Sequence, residues 1–251
     1  MSDKRIEFER YEKFAEELLA EPLYDVCYVH GSSSMPRYLA TPYIKFEEKI
    51  KGHIHHDSLI LEIGSGTGVH TGSLLEAGGI VIATDISGAS LRVLRNRYKE
   101  YEVLNVCASD MESLPFKSQS FDVVVSAGSM SYGEPNLVMH EIYRVLKHKG
   151  VFICVDSLSD NPIYRLNRWI HYIRGSRSKS TLNRMPNLAT INRYAGLFQQ
   201  VDASFHGSIT WLLPLLKIFI GESFAKLTSD LVDRALRVKR SAFKFVMVAK
   251  K

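Results

Sequence analysis

The chain has 251 residues, of which 45% are apolar and 24% charged, and a formal net charge of +5. That balance is ordinary for a soluble globular protein; it excludes collagen, coiled coil and wholesale disorder, and the length suits one large α/β unit. Three cysteines, Cys27, Cys107 and Cys154, lie far apart, which excludes a disulfide framework or a Cys-based zinc module and suits a reducing, cytoplasmic compartment.

Met1 to Arg10 carries six charges and no apolar core, so it does not read as a signal peptide. Phe8, Tyr11, Phe14, Ala15 and Leu18 recur every three or four residues and predict an amphipathic helix ending before Pro22. Residues 25–40 have turn composition. Thr41-Pro42 reads as an N-cap followed by proline at the first helical position, opening a second helix to about Lys51. His53, His55 and His56 follow, but no Cys or Glu-x-x-His partner accompanies them. They read as cations at the negative end of a helix, and no metal is expected.

From Leu59 the pattern changes. Leu59–Ile63, Ile80–Thr84, Val103–Cys107, Phe121–Ser126 and Val151–Val155 are short apolar runs that predict strands, and Ala242–Ala249 predicts one more. Helical spacing appears near 69–77, 87–101 and 136–147, the last closing with Lys147, His148, Lys149 and a C′ glycine, Gly150. Strands alternating with crossover helices imply an α/β fold with a doubly wound, mostly parallel sheet and helices on both faces. The longest apolar stretch, Ile209 to Ile220, has twelve residues and is broken by Pro214 and Lys217, short of the roughly 20 that a membrane span needs.

The most informative segment is Leu61-Glu62-Ile63-Gly64-Ser65-Gly66-Thr67-Gly68, which follows a strand and precedes a helix. Glycines at alternate positions let the backbone turn and approach a ligand closely. Asp85 ends the next strand, where a carboxylate can accept both hydroxyls of a ribose. Position 69 is Val69 rather than the Gly or Ala of a dinucleotide fingerprint, which argues against NAD.

With these motifs in order, the chain resembles the class I S-adenosylmethionine-dependent methyltransferases. Leu59–Gly68 looks like the family's first motif and Val81–Ser87 like its acidic second strand. Ala108–Phe116 looks like the adenine-side loop, and Phe121–Tyr132 like the fourth strand with its active-site loop. The resemblance implies a seven-stranded Rossmann-like sheet and S-adenosylmethionine as cofactor, with S-adenosylhomocysteine as product. It further implies that Glu62, Gly64, Ser65, Gly66 and Gly68 hold the methionine part. Asp85 would take the ribose, Ile86 would lie on the adenine face, Asp110 and Met111 would meet the adenine edge, and Ser126 and Ala127 would sit under the sulfonium.

A sulfonium methyl is already activated, so transfer needs an aligned nucleophile and excluded water, and a base only if the acceptor must lose a proton. The loop Gly128 to Pro135 lacks the Asn/Asp-Pro-Pro-Tyr/Phe pattern of amino-group methylation. Tyr132, His140, His171 and His206 are the base candidates, and no catalytic residue is fixed by the sequence.

Between Asp160 and Asp202 there is no acid, yet Arg165, Arg168, Arg174, Arg177, Lys179, Arg184 and Arg193 fall inside. Such a block points to an anionic partner for one surface, or to a solvated face. The expected organisation is a single domain: an N-terminal helical cap over 1–57, a cofactor core over 58–156, substrate lids at 157–188 and 208–240, and the last strand at 242–249. Arg168, Arg174, Arg177 and Tyr132 are the expected acceptor contacts. The function read from this is methyl transfer to a small-molecule or lipid-like, anionic acceptor, with oxygen preferred to carbon or nitrogen. The basic, apolar lids equally suit a peripheral membrane surface. An RNA methyltransferase is the alternative enzyme, weakened because no basic-aromatic sheet face accompanies the block. A non-catalytic, cofactor-binding scaffold is the alternative outside enzymes.

Overall fold

The computed structural model describes residues 3–20, 31–173, 178–236 and 239–251. Cys27, Arg174, Gly175-Ser176, Arg177 and Arg237 lie outside the described residues, as does the first part of the 25–40 segment. Helix α1 (Asp3–Ala20) leads through two short 3₁₀ turns to α2 (Thr41–His53). The alternating unit follows: β1 (Leu59–Ile63), α3 (Thr71–Glu76), β2 (Ile80–Asp85), α4 (Gly88–Arg97), β3 (Leu104–Ala108), β4 (Phe121–Ala127), α5 (Pro135–Val145) and β5 (Leu146–Ser157). Three helices, α6 (Pro162–Ile173), α7 (Lys179–Arg184) and α8 (Leu188–Ala195), separate β5 from β6 (Gln200–His206). Helices α9 (Leu213–Ile220) and α10 (Glu222–Leu236) separate β6 from β7 (Lys244–Lys250).

The seven strands form one sheet in the order β3-β2-β1-β4-β5-β7-β6. β3 to β5 are parallel, and β7 runs antiparallel to both of its neighbours. The doubly wound, mostly parallel sheet is thus as expected. Alternation along the strands divides the core into two faces. Leu61, Ile63, Val124, Phe152 and Phe245 face α5 and α8, whereas Ile60, Val81, Val123, Val125 and Ile153 face α2, α3 and α4. Chain order reverses between β1 and β4. The loops leaving those two strands therefore diverge at their carboxyl ends and open the crevice where open α/β sheets bind ligands.

Two local expectations are corrected, and one strand is added to those read from the sequence. Thr41 is not an N-cap: Ala40 takes that position without a side-chain bond, and the Thr41 hydroxyl donates to Asp230 at 2.8 Å. Gly150 does not end α5. The helix stops at Val145 because Leu146 turns extended, and residues 147–150 already belong to β5. Gly150 is needed there because a Cβ would stand 2.9 Å from the Lys147 carbonyl oxygen. Finally, β6 supplies the seventh strand, at a sheet edge with Val201, Ala203 and Phe205 packed against the core.

Candidate active-site cleft

The glycine loop after β1 is built by backbone geometry that side chains would forbid. Gly64 and Gly66 have φ of +63° and +53°, a region nearly reserved for glycine. At Gly64 a Cβ would stand 2.4 Å from that of Ser129, so the glycine allows the β1 and β4 loops to close on each other. The Ser129 hydroxyl seals this contact by donating to the Ile63 carbonyl at 3.1 Å, and it pairs with the Ser126 hydroxyl at 2.7 Å. At Gly66 and Gly128 the Cβ direction meets nothing within 4 Å. Both glycines line a cleft of about 340 Å³, a volume within the usual ligand range.

Two carboxylates organise the floor. Asp85 accepts from the Gly66 N–H and the Ser87 N–H, each at 2.9 Å, while the Ser87 hydroxyl caps α4 at Ser90. Burial pushes the Asp85 carboxyl up, and these backbone donors oppose the shift. Glu62 is only 2% exposed and accepts from the Thr71 hydroxyl at 2.6 Å. Burial pushes it up to about 8, with Thr71 opposing and Asp85 adding to the rise.

Of the expected cofactor residues, Gly64, Ser65, Gly66, Asp85, Ile86, Asp110, Met111 and Ala127 line the cleft. Glu62, Gly68 and Ser126 do not. Glu62 lies behind the loop against Thr71, Gly68 faces Leu94 and Tyr98, and Ser126 sits beneath Ser129. Asp110 accepts from the Glu112 N–H in a turn and is ion-paired with Lys4.

The cover of the cleft is α1, which lies in the segment expected as an N-terminal helical cap. Lys4 reaches Asp110 and Glu112, and both oxygens of Glu12 accept from the Ala89 N–H, at 3.2 Å, at the start of α4. Ala15 packs on Ala89 and Val93. The Tyr11 hydroxyl lies 2.5 Å from that of Tyr132, the rings meeting edge to face. The far wall is Tyr43 and His70, their rings stacked at 5.3 Å, with Phe46 edge-on to the imidazole at 5.7 Å. Behind the β4 loop, buried Asp156 accepts from the Met130 N–H at 2.9 Å and fixes residues 128–132.

The acceptor-side expectations fare differently. Tyr132 lines the cleft. His140 is exposed on α5 and His171 is exposed on α6. His206 ends β6 beside Ser204 and lines a separate crevice with Asp230 and Asp233, where burial lowers its pKa. None of these three histidines lines the cleft. Arg168 does not line this cleft: it is 6% exposed, donates to the Leu158 carbonyl at 2.7 Å and borders a separate crevice with Arg165 and Trp169. Its guanidinium faces inward because the carbonyl end of β5 and the Asp156 carboxylate lie there. Among the described residues the cleft lining includes none from 157–240; the described part of the first expected lid meets it through Ser178 and Thr181, which donate to the cleft-lining Glu7. His70, Tyr11 and Tyr43 were missed; His70 carried one available signal, its place directly after the glycine loop. Among the described residues no three His, Cys, Asp or Glu side chains gather as metal ligands.

A reversal-point cleft with a glycine cradle and an acid ending β2 is the nucleotide-binding arrangement of a Rossmann-like fold. Residues 61–154 match the Methyltransferase domain family, and this core is a domain of the class I S-adenosylmethionine-dependent methyltransferases. A ubiquinone/menaquinone biosynthesis C-methyltransferase of Blochmanniella pennsylvanica is 27% identical over 42% of this chain and 44% of its own. A chloroplastic 2-methyl-6-phytyl-1,4-hydroquinone methyltransferase of Oryza sativa is 30% identical over 46% of this chain and 35% of its own. The chain thus spans less than half the length of these relatives. A geranyl diphosphate C-methyltransferase from Streptomyces coelicolor, solved with geranyl diphosphate and S-adenosylhomocysteine, superposes with a TM-score of 0.60. It is 15% identical and covers 96% of this chain and 97% of its own, which shows a shared fold. The cradle at Gly66 and Gly128, beside buried Glu62 and part-buried Asp85, fits S-adenosylmethionine.

Proposed function

We propose that this protein transfers a methyl group to the hydroxyl, or the hydroxyl-activated ring carbon, of a small, largely apolar acceptor such as a phenol or hydroquinone. The observation that carries the reading is the composition of the cleft. Its glycine cradle and Asp85 face a wall of Tyr11, Tyr43, His70 and Tyr132. The bound cofactor would supply an electrophilic methyl on a sulfonium. Asp85 would hold the ribose hydroxyls, Asp110 and Met111 would meet the adenine, and Glu62 would act on the methionine end from behind the loop.

Methylation at oxygen or at a phenol-activated carbon begins with loss of the same acceptor proton. His70 is the group we assign to take it, since imidazole exchanges protons near neutral pH and Tyr43 and Phe46 fix its ring. The Tyr11–Tyr132 pair would orient the acceptor oxygen. Helix α1 would exclude water, which strengthens each polar contact inside. An anionic acceptor is not retained. Arg168 turns away, and Lys4 is a lone cation among described lining residues that also include Glu7, Asp85 and Asp110. One relative is named for ubiquinone/menaquinone biosynthesis and the other for a phytyl hydroquinone, which supports a phenolic, lipid-like acceptor.

The test is incubation with methyl-labelled S-adenosylmethionine and prenylated hydroquinones or catechols, with products read by mass spectrometry. Labelled phenolic product is expected. His70→Asn should lower kcat by about 10²–10⁴ with little change in KM. Labelled RNA, or cofactor binding with no product from any acceptor, would overturn the reading in favour of an RNA enzyme or a scaffold.

A further inference from the structure

Helix α6 turns its apolar stripe to solvent. Ile163, Leu166, Ile170 and Ile173 recur at three- and four-residue spacing and are all exposed, with Trp169 exposed beside them. The α9–α10 pair does the same. Ile218 and Phe219 are 72% and 76% exposed, Phe224 is 67% exposed, and exposed Leu227 and Leu231 continue that face. Stripes of this composition ordinarily pack on a core, and exposed apolar patches on this scale mark interaction surfaces.

The two surfaces leave the same edge of the sheet. β5 and β6 are both antiparallel to β7, so they are parallel to each other, and α6 and α9 follow their carboxyl ends. The Tyr164 hydroxyl of α6 donates to the Gly207 carbonyl at 2.9 Å and accepts from the Trp211 N–H at 3.1 Å. Asn161 donates to the Ser241 carbonyl at 2.8 Å. These bonds tie α6 to both ends of the α9–α10 excursion, on the edge where the cleft also opens.

Charge indicates what covers these faces. No acid occurs between Asp160 and Asp202, and Arg165, Lys179, Lys217, Arg234, Lys239 and Arg240 are exposed around the apolar stripes. Of the three acids of α10, Glu222 opens the helix, and Asp230 and Asp233 are held by the protein itself. Asp230 binds Lys226 and Thr41, each at 2.8 Å, and Asp233 accepts from the Gly207 and Ser208 N–H groups. An apolar, Trp- and Phe-bearing face rimmed by cations matches the headgroup–acyl boundary of an anionic bilayer. A second copy would bring the same basic rim against itself. No described helix is long and apolar enough to cross a membrane, so the contact is peripheral.

We propose that α6 and the α9–α10 pair form a docking surface for anionic membranes, which sets the carboxyl edge of the sheet, and the cleft mouth with it, on the bilayer. The surface is independent of what the cleft catalyses. The test is flotation of the full chain with vesicles of phosphatidylcholine alone or mixed with phosphatidylglycerol. Association with the anionic vesicles, weakened by salt, is expected. Phe219→Glu/Phe224→Glu should lower partitioning at least about a hundredfold and leave melting temperature and S-adenosylhomocysteine binding unchanged, because both side chains face solvent. Lys239→Gln/Arg240→Gln should reduce the preference for phosphatidylglycerol. No association of the wild-type chain, or equal association of the double Glu variant, would overturn the proposal. So would a wild-type dimer that the same variant returns to monomer, which would assign the faces to a second copy.

Discussion

The Asp85 Oδ2 accepts the Gly66 N–H at 2.9 Å, so the acid that ends β2 also holds the glycine loop that follows β1. One carboxylate thus shapes the cradle and lines the cleft. Asp85→Ala should weaken S-adenosylhomocysteine binding by about 1.5–3 kcal/mol, since hydrogen bonds to a charged acceptor are lost. Asp85→Asn, which keeps one acceptor oxygen, should lose less. Thermal-shift titrations of both variants check this, and equal losses would mean that charge alone matters.

Glu62 makes the protein's stability depend on pH. A carboxyl raised from 4.5 to about 8 in the folded state stays protonated there after the unfolded chain has ionised. The native state then binds more protons, and stability falls as pH rises from about 4.5 to about 8. Glu62→Gln should flatten that decline and be the more stable form near the upper end. Thermal unfolding across the window measures it; an unchanged slope would show that another group sets the dependence.

Lys4 holds α1 against Asp110, the carboxylate assigned to the adenine. Because the pair is partly exposed, it contributes ~0–1 kcal/mol. Lys4→Gln should therefore tighten S-adenosylhomocysteine binding by up to about fivefold, an effect that fades as salt rises. Weaker binding in the variant would show that Lys4 contacts the ligand instead of competing with it.

Asp156 supports the β4 loop from inside the core, where Lys244 and Arg168 oppose the cost of burial. Asp156→Ala would leave the Met130 N–H without its acceptor and remove the buried charge that faces Lys244 and Arg168, and should destabilise the chain by about 3 kcal/mol. Urea denaturation gives the value. A loss below 1 kcal/mol would mean that the loop is held by other contacts.

The glycine loop, Asp85 and six of the strands were legible because each carries a local signal: a left-handed turn, an acid at a strand end, a run of apolar residues. β6 shows its pattern only as alternation, with Val201, Ala203 and Phe205 between polar residues, and no apolar run marks it. Helical spacing identified the α1 stripe but could not say what it faces. Ala15 meets α4 while Phe8 and Tyr11 face the cleft. The basic block had the same ambiguity, because charge along a chain does not reveal that Arg168 turns inward to a carbonyl.

Equilibrium binding of S-adenosylhomocysteine, followed by calorimetry with and without NAD, tests the central claim most directly. The account predicts one site, competed by S-adenosylmethionine and unaffected by NAD, because the loop carries Val69 where a dinucleotide fingerprint has glycine or alanine. Absence of binding, or equal binding of NAD at the same site, would contradict it.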